Sequence, residues 1–128
     1  MDINFTAAIY LINLGKFDSA IEYLKKAIAD KEGDGSMDAA IQYTCVLGEL
    51  FANMGEQDKA RAEFDKVIRY CSKTNSLYEQ KKIAEDFLNE YDRELKEKYA
   101  KRLEVEIYEE PRLSKPRPNT TQRGIFLQ

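Results

Sequence analysis

The 128-residue chain has the composition of a soluble, helix-rich protein, with 43% hydrophobic and 34% charged residues. Its length predicts a single domain with a modest core. No apolar run approaches the roughly 18–20 residues of a membrane span. The first residues show neither the basic region nor the small-residue cleavage site of a signal peptide. These features argue against a membrane or secreted protein and predict residence in the cytoplasm.

The residue types argue against catalysis and metal binding. The chain has no histidine, so the usual general base and the Ser/His and Cys/His nucleophile pairs are missing. Cys45 and Cys71 are the only cysteines, too few for a zinc site, and we expect both to be buried free thiols. The sequence therefore predicts a non-catalytic protein with no cofactor and no metal. An enzyme remains an alternative only if the chain is part of a longer one.

The charge is unevenly distributed along the chain. The net charge is −3, yet residues 111–128 hold four basic residues and no acidic one, so residues 1–110 carry −7. An acidic body followed by a basic tail predicts that the tail makes contacts.

Apolar residues at three- and four-residue spacing predict four helices that pair into two hairpins. The predicted ranges are 4–14, 18–30, 37–54 and 58–71. In the first helix the apolar residues run without a break, so more than one of its faces requires cover.

Turn residues separate the predicted helices. Gly15 and Gly55 can adopt the left-handed backbone that ends a helix without a Cβ clash. Asp18 and Asp58 are predicted to cap the helices that follow and to complement their dipoles. Ser36 is the predicted N-cap of the third helix.

The second hairpin repeats the first at an offset of forty residues. The identities between residues 1–30 and 41–70 are Asn13/Asn53, Gly15/Gly55, Asp18/Asp58, Ala20/Ala60, Lys26/Lys66 and Ile28/Ile68. Identities confined to turn, cap and helix-contact positions are typical of a structural repeat.

This repeat resembles the tetratricopeptide repeat (TPR) family over about residues 1–74. The residues on the family pattern are Ala8, Leu11, Gly15, Phe17, Asp18, Ala20, Leu24 and Ala27, then Gly48, Phe51, Gly55, Asp58, Ala60, Phe64 and Val67. The chain departs from the family pattern in three places. Asn4 and Thr44 stand where the family has a large apolar residue. The proline that usually ends the second helix is missing, and the inter-repeat loop is longer than in the family. The resemblance implies a divergent pair of antiparallel helical hairpins.

A long fifth helix is predicted to follow the repeats. The sequence Ser76-Leu77-Tyr78-Glu79 has the form of a capping box that opens it. Its first half is expected to pack on the second hairpin, and its charged second half to project into solvent or to meet another chain. Residues 103–108 alternate apolar and acidic residues, which fits either a strand or a frayed helix end. The predicted fold is all-α, with hairpins at 1–74, a capping helix at 75–108 and an irregular, proline-containing tail at 109–128.

The resemblance implies a binding surface on the concave face formed by the first helix of each hairpin. The candidate contacts are Phe5, Ile9, Ile12, Asn13, Glu49 and Asn53, and Cys45 and Ala52 lie on the same face by position. The paired amides of Asn13 and Asn53 can donate to and accept from a peptide backbone. The alternative is that the fifth helix simply covers this face. A lysine and arginine clamp for a partner's terminal carboxylate is not expected, because the corresponding positions are apolar or acidic.

The sequence leaves three alternatives for the role of the tail, residues 109–128. It is a solvated end without a role, it docks on the acidic body, or it contacts RNA or DNA. The residues that would make tail contacts are Arg112, Lys115, Arg117, Arg123, Ile125, Phe126 and Leu127. Docking within one chain would make the tail a self-inhibitory plug, and docking between chains would give a homo-oligomer. Four basic residues without stacking aromatics support only weak, salt-sensitive binding to nucleic acid.

Overall fold

A computed structural model describes the backbone of residues 2–109 and the side chains of residues 2–103. Every regular element in this part of the chain is an α-helix. The helices are α1 (Ile3–Asn13), α2 (Phe17–Gly33), α3 (Met37–Asn53), α4 (Gln57–Thr74) and α5 (Tyr78–Glu109). The all-α prediction is confirmed. Helices α1 and α2 pack as one hairpin, α3 and α4 as a second, and α2 packs against α3.

The turn inside each hairpin has the same backbone geometry. Gly15 and Gly55 have φ angles of +76° and +82°, as predicted. The Lys16 amide donates to the Leu11 carbonyl at 2.9 Å, and the Glu56 amide donates to the Phe51 carbonyl at the same distance. These bonds satisfy carbonyls that the helix end would otherwise leave unpaired. The repeat in the sequence therefore corresponds to two turns with the same backbone conformation and the same hydrogen bonds.

The prediction that Asp18 and Asp58 cap their helices is wrong. Helices α2 and α4 begin earlier, and the cap positions are taken by Lys16 and Glu56, whose side chains make no cap hydrogen bond. Both aspartates lie in the first helical turn, where a negative charge still complements the helix dipole. Ser36 occupies its predicted cap position, but its side chain also forms no cap hydrogen bond.

Small residues let the helices approach closely. Ala8, Ala20 and Ala60 are completely buried where the helices of the two hairpins meet. The ring of Phe64 fills the space above Gly48, because a Cβ at position 48 would lie 3.0 Å from two of its ring carbons. The core is thus fixed by residues of complementary size on facing helices.

The capping box predicted for α5 is wrong. The helix begins at Tyr78 and is preceded by Leu77, which has a φ of +56°. The Ser76 hydroxyl hydrogen-bonds the Thr74 hydroxyl at 2.6 Å. Asn75 ends α4 in the left-handed conformation, a role that asparagine fills more readily than most residues. The chain therefore turns into α5 through two left-handed residues.

The first part of α5 packs on the second hairpin, as expected. Ala84 is completely buried, and the Phe87 ring lies 4.8 Å from the Phe64 ring, centroid to centroid. The Tyr91 hydroxyl donates to the Asp58 carboxylate at 2.6 Å. Helix α5 continues to Glu109, so the alternating residues 103–108 are helical and the strand alternative is wrong.

The chain divides into two compact units. The first contains the two hairpins and α5 as far as Tyr91, and the second begins at Asp92. In the second unit every side chain that the structure describes, from residue 92 to residue 103, is exposed. None of the helices in the described part of the chain has the length and apolarity of a membrane span.

We predict that Gly48→Ala destabilises the fold. The added methyl would press on the Phe64 ring, which is buried and held against Phe87. Overpacking of this kind costs roughly 1–3 kcal/mol, against which the better helix propensity of alanine returns up to about 1 kcal/mol. Urea unfolding followed by circular dichroism should give a net loss of unfolding free energy.

Gly33→Ala is the matched control. Gly33 also lies within a helix, but a Cβ there would meet no atom within 4 Å. This variant should be as stable as the wild type or slightly more so. If Gly48→Ala were equally well tolerated, the close contact with Phe64 would not limit the packing of α3 on α4.

Candidate functional site

Helix α3 presents one polar strip to solvent. Its other residues are largely buried between α2 and α4, which leaves a face formed by Gln42, Val46, Glu49 and Asn53. Spacings of four, three and four residues place these side chains on one side of the helix. With the forty-residue offset of the repeat, the corresponding residues of α1 are Asp2, Thr6, Ile9 and Asn13. The candidate site is the surface formed by these strips.

The candidate contacts on α1 differ in exposure. Asn13 is exposed, whereas Phe5, Ile9 and Ile12 are half-buried. The Phe5 ring stacks on Tyr43 of α3, with centroids 4.1 Å apart and an angle of 10° between the planes. Phe5 therefore joins two helices as well as bordering the site.

Sequence reasoning missed Tyr43 as the partner of Phe5. Burial raises the pKa of the Tyr43 hydroxyl, and the nearby Asp2 carboxylate raises it further. Asp2 also accepts a hydrogen bond from the Phe5 amide at 3.1 Å and so caps α1. Nothing in the sequence pairs positions 5 and 43, since their contact depends on how the hairpins pack.

Cys45 does not belong to the accessible surface, contrary to its placement there by position. It is a free thiol in the core, as is Cys71, so the prediction of two buried free thiols is confirmed. Burial, and then the proximity of Glu49 and Cys71, raises the pKa of Cys45 to about 12. Burial also raises the pKa of Cys71. Neither thiol is available to a partner in the folded protein.

Glu49 combines exposure with partial desolvation. The residue is exposed as a whole, yet loss of water around its carboxyl raises the pKa of Glu49. No side chain among residues 2–103 forms an ion pair or hydrogen bond with it. Glu49 therefore places a negative charge on the surface of α3 that the described residues leave uncompensated.

Helix α5 contributes a third asparagine at a related position. Ala84 follows Gly48 by 36 residues, and both are buried small residues of packed helices. Asn89 follows Asn53 by the same interval and is exposed. Sequence reasoning missed Asn89, although the common interval of 36 residues was a usable signal.

The predicted tail contacts lie outside the described residues. They are Arg112, Lys115, Arg117, Arg123, Ile125, Phe126 and Leu127. Within the described residues, no group of three or more cysteine, aspartate or glutamate side chains is arranged to hold a metal ion.

A concave surface lies away from the candidate strips. It is a crevice of about 340 Å³ between α2, α3 and α4, lined among others by Lys25, Ile28, Glu63 and Lys66. Because it combines charged and apolar side chains, this crevice is an alternative binding surface. Variants in the crevice can therefore serve as controls for variants in the strips.

Comparison with known proteins identifies the repeats. The family model described as tetratricopeptide repeat matches residues 2–29 and 41–74. No curated protein and no solved structure shows a significant match to the chain.

We predict that neither cysteine reacts with a thiol reagent in the folded protein. Only the thiolate is nucleophilic, and a pKa of about 12 at Cys45 leaves almost none at neutral pH. Titration with Ellman's reagent should detect no fast thiol in buffer and two thiols in urea. Ser19→Cys adds an exposed thiol on α2 and should react at once. Rapid reaction of the unmodified native chain would show that the core opens readily.

We predict that Glu49→Gln changes the dependence of stability on pH. Because the pKa of Glu49 is raised in the folded state, the unfolded state loses its proton first as the pH rises. The wild type therefore loses stability relative to the variant from the ordinary pKa of 4.5 up to the raised pKa, and the difference is constant above it. Urea unfolding from pH 3 to pH 7 measures the difference. Glu22→Gln, on the exposed face of α2, controls for the loss of one negative charge.

Proposed function

Since this chain contains two tetratricopeptide repeats, at residues 2–29 and 41–74, and such repeats generally mediate protein–protein interaction, we propose that it is a non-catalytic binding module. In this proposal the strips on α1 and α3, together with Asn89 of α5, hold an extended peptide or a helix of a protein partner. The family is typically non-catalytic. The proposed role is that of a cytoplasmic adaptor or scaffold, and two free thiols suit a reducing compartment.

The observation that carries this proposal is the recurrence of exposed asparagine at related positions of three helices. Asn13, Asn53 and Asn89 are all exposed in the described structure. Each amide offers a donor and an acceptor, the two groups that a peptide backbone requires. Amides on α1, α3 and α5, all within the first compact unit, would therefore meet the backbone of a bound peptide at separate points along its length.

The other candidate contacts suggest the chemistry of the partner. Ile9 and Ile12 keep part of their apolar surface exposed on α1. Glu49 adds an uncompensated, partly desolvated carboxylate on α3. A lysine or arginine of the partner would stabilise that charge and offset its desolvation. The partner segment best suited to this surface carries an apolar side chain and a basic one.

Peptide display on the intact chain tests the proposal. A random peptide library is selected on the immobilised wild type, and the enriched peptides are measured by calorimetry against three variants. Asn53→Ala and Glu49→Gln alter exposed strip residues, and Lys25→Gln alters the competing crevice. We expect peptides rich in apolar and basic residues. Their affinity should fall about tenfold with either strip variant, the effect of losing a contact worth about 1.4 kcal/mol, and should not change with Lys25→Gln.

The opposite pattern would overturn the proposal. Peptides that lose affinity with Lys25→Gln and keep it with both strip variants would place recognition in the crevice. Peptides that depend on Asn53 but not on Glu49 would retain the binding surface and remove the requirement for a basic side chain.

A further inference from the structure

The later half of α5 carries an apolar ridge that no described residue covers. The ridge consists of Leu95, Tyr99 and Leu103, which recur every four residues and so lie on one side of the helix. Their side chains are 52%, 61% and 40% exposed. Large apolar residues exposed singly are ordinary, but three in one line form a patch of the kind that marks an interaction site. The sequence predicted that this part of α5 would project into solvent or meet another chain, and the ridge favours another chain.

A shallow groove of about 610 Å³ follows the ridge and has basic side chains along both of its edges. Besides the ridge residues, its described lining consists of Lys96, Lys98, Ala100 and Arg102. By helical position Lys96 lies about 60° from Tyr99 on one side, and Arg102 lies about 60° from it on the other. None of the three basic side chains forms an ion pair or a side-chain hydrogen bond with a residue between 2 and 103. The ridge is therefore an apolar surface with unpaired positive charge beside it.

The acidic residues of this part of α5 lie elsewhere on the helix. Residues 92–109 contain six acidic and five basic residues, so the segment as a whole has a net charge of −1. Within the length of the ridge the one acidic residue is Glu97, which is on the opposite side of the helix and pairs with Arg93 at 2.9 Å. Asp92 and Glu106 fall in line with the ridge, but about one turn beyond its two ends. The charge beside the ridge is thus positive along its length and negative only past its ends.

A second copy of this chain does not complement this pattern. In an antiparallel pair of ridges centred on Tyr99, Lys96 of one copy would face Arg102 of the other. The same pairing would bring Asp92 of one copy opposite Glu106 of the other. In a parallel pair each charged residue would lie beside its own equivalent. Like charges would meet in both arrangements, which disfavours association of two ridges.

The tail does not complement the ridge either. Residues 110–128 contain four basic residues and one acidic residue, a net charge of +3. The acidic one directly follows α5, so the segment that carries the apolar residues 125–127 has positive charges only. Laid on the ridge, that segment would add positive charge to the positive edges. The cover that charge favours is a segment with acidic side chains.

A helix fits the ridge better than an extended peptide does. The backbone groups of an α-helix are hydrogen-bonded within the helix, so the side of α5 offers a partner no backbone donor or acceptor. An extended peptide on the ridge would leave its own N–H and C=O groups unpaired against apolar side chains, which is costly. A helix pairs its own backbone groups. Its side chains at four-residue spacing rise about 6 Å, the same step as along the ridge.

We propose that the α5 ridge binds an amphipathic helix of a partner protein, one whose apolar side is bordered by acidic residues. The apolar side of that helix packs along the ridge. Its carboxylates pair with Lys96, Lys98 and Arg102, whose aliphatic stems extend the apolar contact. Binding supplies the cover that the described residues do not give this part of α5, and it stabilises a helical segment that would be marginal alone in water.

This surface differs from the proposed peptide site in place and in chemistry. The strips lie in the first compact unit and suit a partner segment with apolar and basic side chains. The ridge lies in the second unit and suits an acidic helix. Asn53→Ala, which alters a strip, should therefore leave binding to the ridge unchanged. Failure of either proposal would leave the other standing.

Two synthetic helical peptides, measured against the full chain, test the proposal. Both are alanine-based, about 18 residues long so that they form helices, and carry leucines at three- and four-residue spacing along one side. The acidic peptide has glutamates beside the leucines, and its twin has lysines at the same positions. Fluorescence anisotropy should show binding of the acidic peptide to the wild type. At the same salt concentration the lysine twin should bind about tenfold more weakly or less.

Variants of the ridge and of its edge identify the surface, with a matched control for each. Tyr99→Ala should weaken binding of the acidic peptide about tenfold or more, whereas Tyr78→Ala makes the same change at an exposed position of α5 outside the ridge and should not. Lys98→Glu should shift the preference toward the lysine twin. Lys101→Glu makes the same charge change on the opposite side of the helix and should leave the preference as it is. Circular dichroism checks that each variant keeps its helix content.

Several outcomes would overturn the proposal. Equal binding of the two peptides would show that the basic edges do not select the partner, and no binding of the acidic peptide would remove the site. Binding that survives both Tyr99→Ala and Lys98→Glu would place the peptide elsewhere. A wild type that is dimeric in sedimentation equilibrium and monomeric with Tyr99→Ala would assign the ridge to a second copy. Tighter binding of the acidic peptide to Phe126→Ser would assign the ridge to the tail.

Discussion

The Phe64 side chain connects three of the five helices. Its ring projects from α4, lies against the backbone of α3 at Gly48 and meets Phe87 of α5. This contact favours glycine at position 48, since a Cβ there would lie 3.0 Å from two carbons of the ring. It also gives α5 a fixed place on the second hairpin, which the buried Ala84 and the bond between Tyr91 and Asp58 reinforce. The Phe64 ring therefore helps to set the position of α5, and with it Asn89, relative to α3 and α4.

The proposed binding surface is the part of α1 and α3 that close packing of the described residues leaves exposed. Ala8 of α1 is buried, and Gly48 of α3 is buried against the Phe64 ring of α4, whereas Asn13, Glu49 and Asn53 on the same two helices are exposed. In this fold the scaffold and the candidate site share the same helices, with stability provided by one face and the proposed recognition by another.

Much of the structure follows from the sequence because it depends on local chemistry. The intervals between apolar residues predict the ends of the first four helices to within about three residues. Gly15 and Gly55 mark the two hairpin turns. Their backbone requires φ > 0, which glycine adopts without strain. The apolar neighbours of both cysteines likewise predicted buried free thiols. The errors at Asp18, Asp58 and Ser76 are errors of one or two residues in where a helix begins.

Only the tertiary structure decided which residues that are far apart in the chain contact one another. The exclusion of Cys45 from the surface, the stacking of Phe5 on Tyr43 and the relation of Asn89 to Asn53 all depend on how the helices pack. So does the exposure of Tyr10, because the burial of an apolar helix residue depends on which other helices pack against it. The sequence by itself determined the helices and turns, because the forces that set them act within one or two helical turns. The surface that remains for a partner was decided by packing, because burial depends on what every other helix covers.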